Sequence, residues 1–254
     1  MSGFCHLKNG RFLENSKVGL PKEEKLWYIM SEATGKMRGN TMKAIVFDMD
    51  GVLFDTEMVC LEGWKVVAKK NNLPGMEQVF PRCIGLNNND CQAVLQDAYG
   101  EDFDYGAFRK QASVEFWNYI ETKGLPEKPY VHVLLEWLRT SGYKVGLASS
   151  TRRESILNCL DNAGIREYFE VIISGDMVEH SKPEPDIYLL ACKEMGVEPG
   201  EAYAIEDSFN GIRSAYAAGM KPIMVPDMLA PDAEMREKSV VVLKDLGEVL
   251  QYLK

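Results

Sequence analysis

The stretch Phe47-Asp48-Met49-Asp50-Gly51-Val52-Leu53-Phe54-Asp55-Thr56-Glu57 closes a short apolar run at 43–47 and sets two acids two positions apart. In extended backbone, positions i and i+2 face the same side, so Asp48 and Asp50 can reach one centre at the end of a strand. Gly51 permits a tight turn away from that strand. Adjacent carboxylates repel unless a cation or a shared proton intervenes, and ligands that are all oxygen favour magnesium. The same pair also fits a solvated turn, so the rest of the chain has to decide between the two.

Outward from this stretch, apolar runs rich in β-branched residues recur at 144–148, 170–174, 202–205, 221–225 and 240–243. Helical periodicity separates them at 153–163, 186–195 and 208–218, and each of these segments is followed by a glycine, Gly164, Gly196 or Gly219, where a left-handed residue ends a helix. The alternation predicts an α/β fold on a doubly wound parallel sheet, a Rossmann-like core. About 95 residues separate the first strand from the second, too many for one crossover helix. They read as helices at 57–71, 88–99 and 105–123, with Pro126 and Pro129 before another helix at 130–141. The expected organisation is therefore a core of 42–56 and 127–254 carrying an inserted all-helical cap domain at 57–126.

Residues 1–41 differ in character. They hold seven basic and four acidic residues, leaving 22 basic and 34 acidic residues from 42 onward. They read either as a poorly ordered extension or as the product of an early start codon, with one amphipathic helix possible at 22–33. The chain of 254 residues, 46% hydrophobic, suffices for one sizeable core with a small inserted module. A formal charge of −9 without clustered Lys and Arg argues against a sequence-independent grip on nucleic acid. Six cysteines without a CxxC pair, and an N-terminus without a continuous apolar segment, read as reduced thiols in a cytoplasmic protein. No apolar run approaches the length of a membrane span.

Three further strand ends carry polar groups. Ser149, Ser150 and Thr151 follow the run at 144–148; they could hold an anion at a helix N-terminus or simply cap that helix. Ser181-Lys182-Pro183-Glu184-Pro185-Asp186 restrains a lysine between prolines, although a lone lysine in a loop is also an ordinary solvated charge. Glu206-Asp207-Ser208-Phe209-Asn210-Gly211 adds two carboxylates after the run at 202–205. Each is bland alone. Four strand ends that all suit a metal or a phosphate point together to one site at the carboxyl edge of the sheet.

These four motifs, and above all the run from Glu206 to Met220, resemble the haloacid dehalogenase superfamily, in the subgroup with a helical cap after the first motif that includes β-phosphoglucomutase and small sugar phosphatases. The resemblance covers 42–254. It implies a magnesium-dependent phosphatase for a small phosphorylated metabolite such as a sugar or polyol phosphate. Asp48 would be the nucleophile and Asp50 the general acid, then the general base. Mg2+ would be held by the Asp48 carboxylate, the Asp50 carbonyl and Asp207, with Glu206 as a nearer or outer ligand. Ser149, beside Ser150, would bind phosphate, and Lys182 would neutralise charge and orient Asp48.

The turn at 83–90 is similar to the family's specificity loop, which makes Asn87, Asn88 and Asn89 candidates for substrate hydroxyls. Asparagines also suit a plain turn and helix cap. A phosphomutase of the β-phosphoglucomutase kind shares every motif, but the histidine and arginine that such members carry correspond here to Cys60 and Asn88, which leans toward hydrolysis. A non-catalytic binding protein on the same scaffold is disfavoured by the presence of all four acids. A monomer or weak homo-oligomer is expected.

Overall fold

The computed structural model describes residues 42–254 apart from 85 and 87. The helix expected at 22–33, the extension as a whole and Asn87 thus lie outside the described residues. Six strands form one parallel sheet: β1 (Ala44–Phe47), β2 (Lys144–Ser149), β3 (Val171–Ser174), β4 (Ala202–Glu206), β5 (Lys221–Met224) and β6 (Val241–Val242). Their order is β3-β2-β1-β4-β5-β6, so the chain winds out one way from β1 and then returns to wind the other way. Phe47 of β1 lies opposite Leu147 of β2 and Ile205 of β4, which brings the carboxyl ends of these three strands to one level.

The strands alternate between two apolar layers. Ile45 and Phe47 point to the face covered by α5 (Val131–Thr140), α6 (Arg153–Ala163) and α10 (Leu246–Leu253), where Leu134, Leu138, Ile156, Leu160 and Val249 complete the core. Ala44 and Val46 point to the opposite face, under α7 (Asp186–Met195) and α8 (Phe209–Ala217). That second face is built from small residues, among them Ala148, Ala202 and Ala204, so the two helices sit close to the sheet. Burial on both faces is why each central strand reads as a near-continuous apolar run. Gly164, Gly196 and Gly219 all take positive φ, as their positions after helices require.

Between β1 and β2 come α1 (Thr56–Lys70), α2 (Met76–Val79), a single 3-10 turn at Phe80–Arg82, α3 (Asn88–Tyr99) and α4 (Tyr105–Lys123). They share a separate apolar cluster around Val67, Leu95 and Phe108, in which Trp64 meets Phe80 and Phe108 edge-on at 5.0 and 5.1 Å. The two connections to this insertion run side by side. Asp55 N–H donates to the Pro126 carbonyl at 2.8 Å, and Lys128 N–H donates to the Leu53 carbonyl at 2.8 Å. The sequence reading missed α2, α9 (Ala233–Lys238) and α10, all short. No helix among the described residues is long and apolar enough to cross a membrane.

Candidate active site

The carboxyl ends of β1, β2 and β4 and the loop before α7 converge on one polar cluster. Asp48 follows β1 and is fixed through its backbone, whose N–H donates to the Ile205 carbonyl at 2.9 Å. Lys182 reaches in from the loop before α7. Its ammonium donates to Asp48 Oδ1 at 2.6 Å, to Glu206 Oε1 at 2.7 Å and to the Ala148 carbonyl at 3.0 Å, which uses all three protons. Glu206 is fully buried. Its Oε1 also accepts from the Tyr188 hydroxyl at 2.6 Å, and its Oε2 accepts from Ser208 Oγ at 3.1 Å.

Asp50 faces a different set of partners. Its Oδ2 accepts from Thr151 Oγ1 at 2.8 Å and from Ser149 Oγ at 3.2 Å. Ser149, expected to meet substrate phosphate, is fully buried, and its hydroxyl donates to Asp50. Ser150 is exposed on the far side of the chain, while Thr151 shares the side of Ser149. Asn88 is the exposed first residue of α3. The Asp50 carboxylate, occupied with these hydroxyls, is not among the acids that gather for a cation.

One oxygen each from Asp48, Glu206 and Asp207 lies within 4.8 Å of the others. Among the described residues only Lys182 forms an ion pair with any of them. Burial pushes the Asp48 carboxyl up to about 8, against the pull of Lys182 and with the charges of Glu206 and Asp50 adding to the rise. Asp207 is also raised well above the usual carboxylate range, by burial first and then by Glu206 and Asp48. For Lys182, burial opposes the charge, but Asp48 and Glu206 outweigh it and hold the ammonium protonated above the ordinary lysine range. Three acids gather beside one ammonium that pairs with only two of them, which leaves an excess of negative charge that a divalent cation would neutralise. The all-oxygen donor set fits such an ion.

Two glycines make room for this packing. At Gly51, with φ +76°, a Cβ would lie 2.2 Å from Asp207 Oδ2. At Gly211 a Cβ would lie 1.9 Å from Glu206 Cδ. Glycine inside a helix costs about 1 kcal/mol against alanine, so Gly211 within the predicted 208–218 helix was a readable sign of close approach. Tyr188 is a participant that the sequence reading passed over, and Thr151, read there as an anion-holding or capping hydroxyl, instead donates to Asp50.

A doubly wound parallel sheet whose carboxyl edge gathers a cation-ready acid cluster around a buried lysine defines an α/β enzyme of the Rossmann-like kind. Residues 45–225 match the profile described as haloacid dehalogenase-like hydrolase. The chain belongs to that family of hydrolases. It is 32% identical to a phosphorylated carbohydrates phosphatase of Thermotoga maritima, over 84% of this chain and 99% of the relative. It is 31% identical to a β-phosphoglucomutase of Bacillus subtilis, over 82% of this chain and 95% of the relative. Among solved structures, a HAD family hydrolase from Deinococcus radiodurans R1, crystallised with bound phosphate and sodium, superposes with a TM-score of 0.71 at 26% identity, covering 84% of this chain and 96% of the other.

Proposed function

We propose that this protein is a magnesium-dependent phosphatase that hydrolyses small phosphate monoesters, sugar or polyol phosphates in particular, through a phosphoryl group carried on Asp48. The observation that carries this reading is the contact of the buried Lys182 ammonium with Asp48 Oδ1 at 2.6 Å; among the described residues no donor meets the other carboxylate oxygen, which is the one this reading turns to phosphorus. Likeness to a carbohydrate-phosphate phosphatase over nearly the whole relative supports the substrate class.

In the first half-reaction Asp48 attacks phosphorus and the ester P–O bond breaks, while protonated Asp50 gives its proton to the departing alcohol. In the second, Asp50 takes a proton from water as the water attacks the same phosphorus, and Asp48 leaves as the carboxylate. Ser149 and Thr151 hold Asp50 in place for both. Lys182 balances charge on the phosphoryl group and draws the Asp48 carboxyl toward ionisation against the effect of burial. Magnesium would be held by Asp48, Asp207 and the Asp50 carbonyl, with Glu206 behind them, and would let an anionic carboxylate approach an anionic phosphate.

The insertion at 57–126 acts as the cap over the core of 42–56 and 127–254, closing on the substrate and excluding water, with Asn88 available to its hydroxyls. Asp48→Asn tests the reading. Phosphate release from p-nitrophenyl phosphate should fall roughly a thousand-fold or more with the circular dichroism spectrum unchanged. Activity near wild type would reject it.

The 31% identity to a β-phosphoglucomutase favours a second reading, phosphomutation. At Cys60, where such a mutase carries histidine, burial and the charges of Glu57 and Asp50 push the thiol far up, so it stays protonated and offers no base. Incubation with β-glucose 1-phosphate separates the two, since glucose 6-phosphate formed without released phosphate supports the mutase.

A further inference from the structure

We propose that Tyr188 is a positioning residue of this site: its hydroxyl pins Glu206 and thereby keeps the Lys182 ammonium shared with Asp48. The proposal rests on the reading of Asp48 as the nucleophile.

Tyr188 is fully buried in the apolar layer between α7 and the sheet, beside Ile187, Ala191, Ala204 and Ala215. Phenylalanine would fill that space without bringing a polar group into it. A buried hydroxyl is costly unless it is bonded, and this one has a single outlet, Glu206 Oε1 at 2.6 Å, a short bond to a charged acceptor. The acceptor is a carboxylate oxygen, so in this bond the hydroxyl is the donor.

The oxygen that accepts from Tyr188 is also the one that accepts from Lys182 at 2.7 Å. The ammonium stands 5.0 Å from the centre of the Tyr188 ring, so one side chain touches both members of the pair. On the other side, Ser208 occupies Oε2 and Gly211 leaves no room behind the carboxylate. Three side-chain donors, Lys182, Tyr188 and Ser208, thus fix the orientation of Glu206.

Lys182 divides its attraction between Asp48 and Glu206. The hydroxyl takes part of the accepting capacity of Oε1, which weakens the hold of Glu206 on the ammonium and leaves more of it for Asp48. Without the hydroxyl, Glu206 draws Lys182 toward itself, and the activation of Asp48 declines without any change in how substrate is bound. A role in packing alone predicts a different outcome, a lower melting temperature with unchanged turnover per folded molecule.

The test is Tyr188→Phe in the full chain, assayed with p-nitrophenyl phosphate at saturating magnesium alongside a thermal melt. The expected result is a fall in kcat of roughly ten-fold, with KM within two-fold of wild type and the melting temperature within a few degrees. Should Tyr188→Phe not fold, 4-fluorophenylalanine at this position fills the space of the hydroxyl without donating, and the same fall is expected. 4-Aminophenylalanine, which keeps a donor on the same ring, should restore kcat to within about three-fold of wild type. Wild-type kcat in a folded variant lacking the donor overturns the role of Tyr188 alone. A wild-type enzyme that releases no phosphate from any ester overturns the function and this role together.

Discussion

The ammonium of Lys182 stands 2.6 Å from Asp48 Oδ1, although 134 positions separate the two residues in the chain. Both side chains are almost completely enclosed, at 7% and 10% exposure. At such burial neither charge is tolerable without the other, and the pair acts as a joint between the loop before α7 and the end of β1.

Removing the cation leaves Asp48 and Glu206 buried without an ion-pair partner. Lys182→Met is expected to lose about 3–5 kcal/mol of stability in urea unfolding. Turnover should drop at least about a hundred-fold, and added magnesium should recover part of the stability but not the rate. Unchanged stability in this variant would show that the ion pair does not hold the site together.

Magnesium should stabilise the wild-type protein as well as activate it. At a hundred times its dissociation constant the gain is about 2.7 kcal/mol, a shift of about 5–10 °C in melting temperature that a chelator reverses. Asp207→Asn removes a carboxylate that burial and its neighbours already disfavour as a charge. The metal-free variant should therefore melt higher than metal-free wild type, and its response to magnesium should be absent. A full magnesium shift in Asp207→Asn contradicts the assignment.

Glu57, in the first turn of α1, is raised to about 7 by burial and by the charges of Asp50 and Asp227. Its folded value lies above its unfolded one, so its contribution is fully present below about 4.5 and is lost as pH rises through about 7. Above that point the folded state carries an unfavourable charge. Glu57→Gln should match wild type near pH 5 and exceed it at pH 8.5 by on the order of 2 kcal/mol. Chemical unfolding at the two values checks the sign.

A methyl group at position 211 would meet Glu206 at 1.9 Å from Cδ. Gly211→Ala adds helix propensity of about 1 kcal/mol, yet the overlap should win, with a net loss of about 1–3 kcal/mol and a matching loss of turnover. A more stable Gly211→Ala, measured by thermal melt, would mean that Glu206 moves aside freely.

The sheet was legible because strands buried on both faces leave continuous apolar runs, and the expected strand limits fall within a residue or two of β1 to β6. The late helices were missed although their caps are written in the sequence: Asp232 accepts from Met235 N–H and Asp245 from Glu248 N–H. Six- and eight-residue helices offer too few turns for periodicity to stand out. At the site, the alternation that paired Asp48 with Asp50 applies equally after β2. It selects Ser149 and Thr151 over Ser150, and the geometry agrees with that rule. Tyr188 was not legible, since its place on the buried stripe of α7 looks the same whether or not its hydroxyl has a partner.

The paired connections at Asp55 with Pro126 and Leu53 with Lys128 give the helical insertion a single doorway. Strands β1 and β2 pair directly beneath it, so the floor of the site does not depend on what passes through. On the proposed reading the insertion is a replaceable cassette: exchanging it for another helical module of similar span should alter which molecules are admitted while the chemistry beneath stays the same.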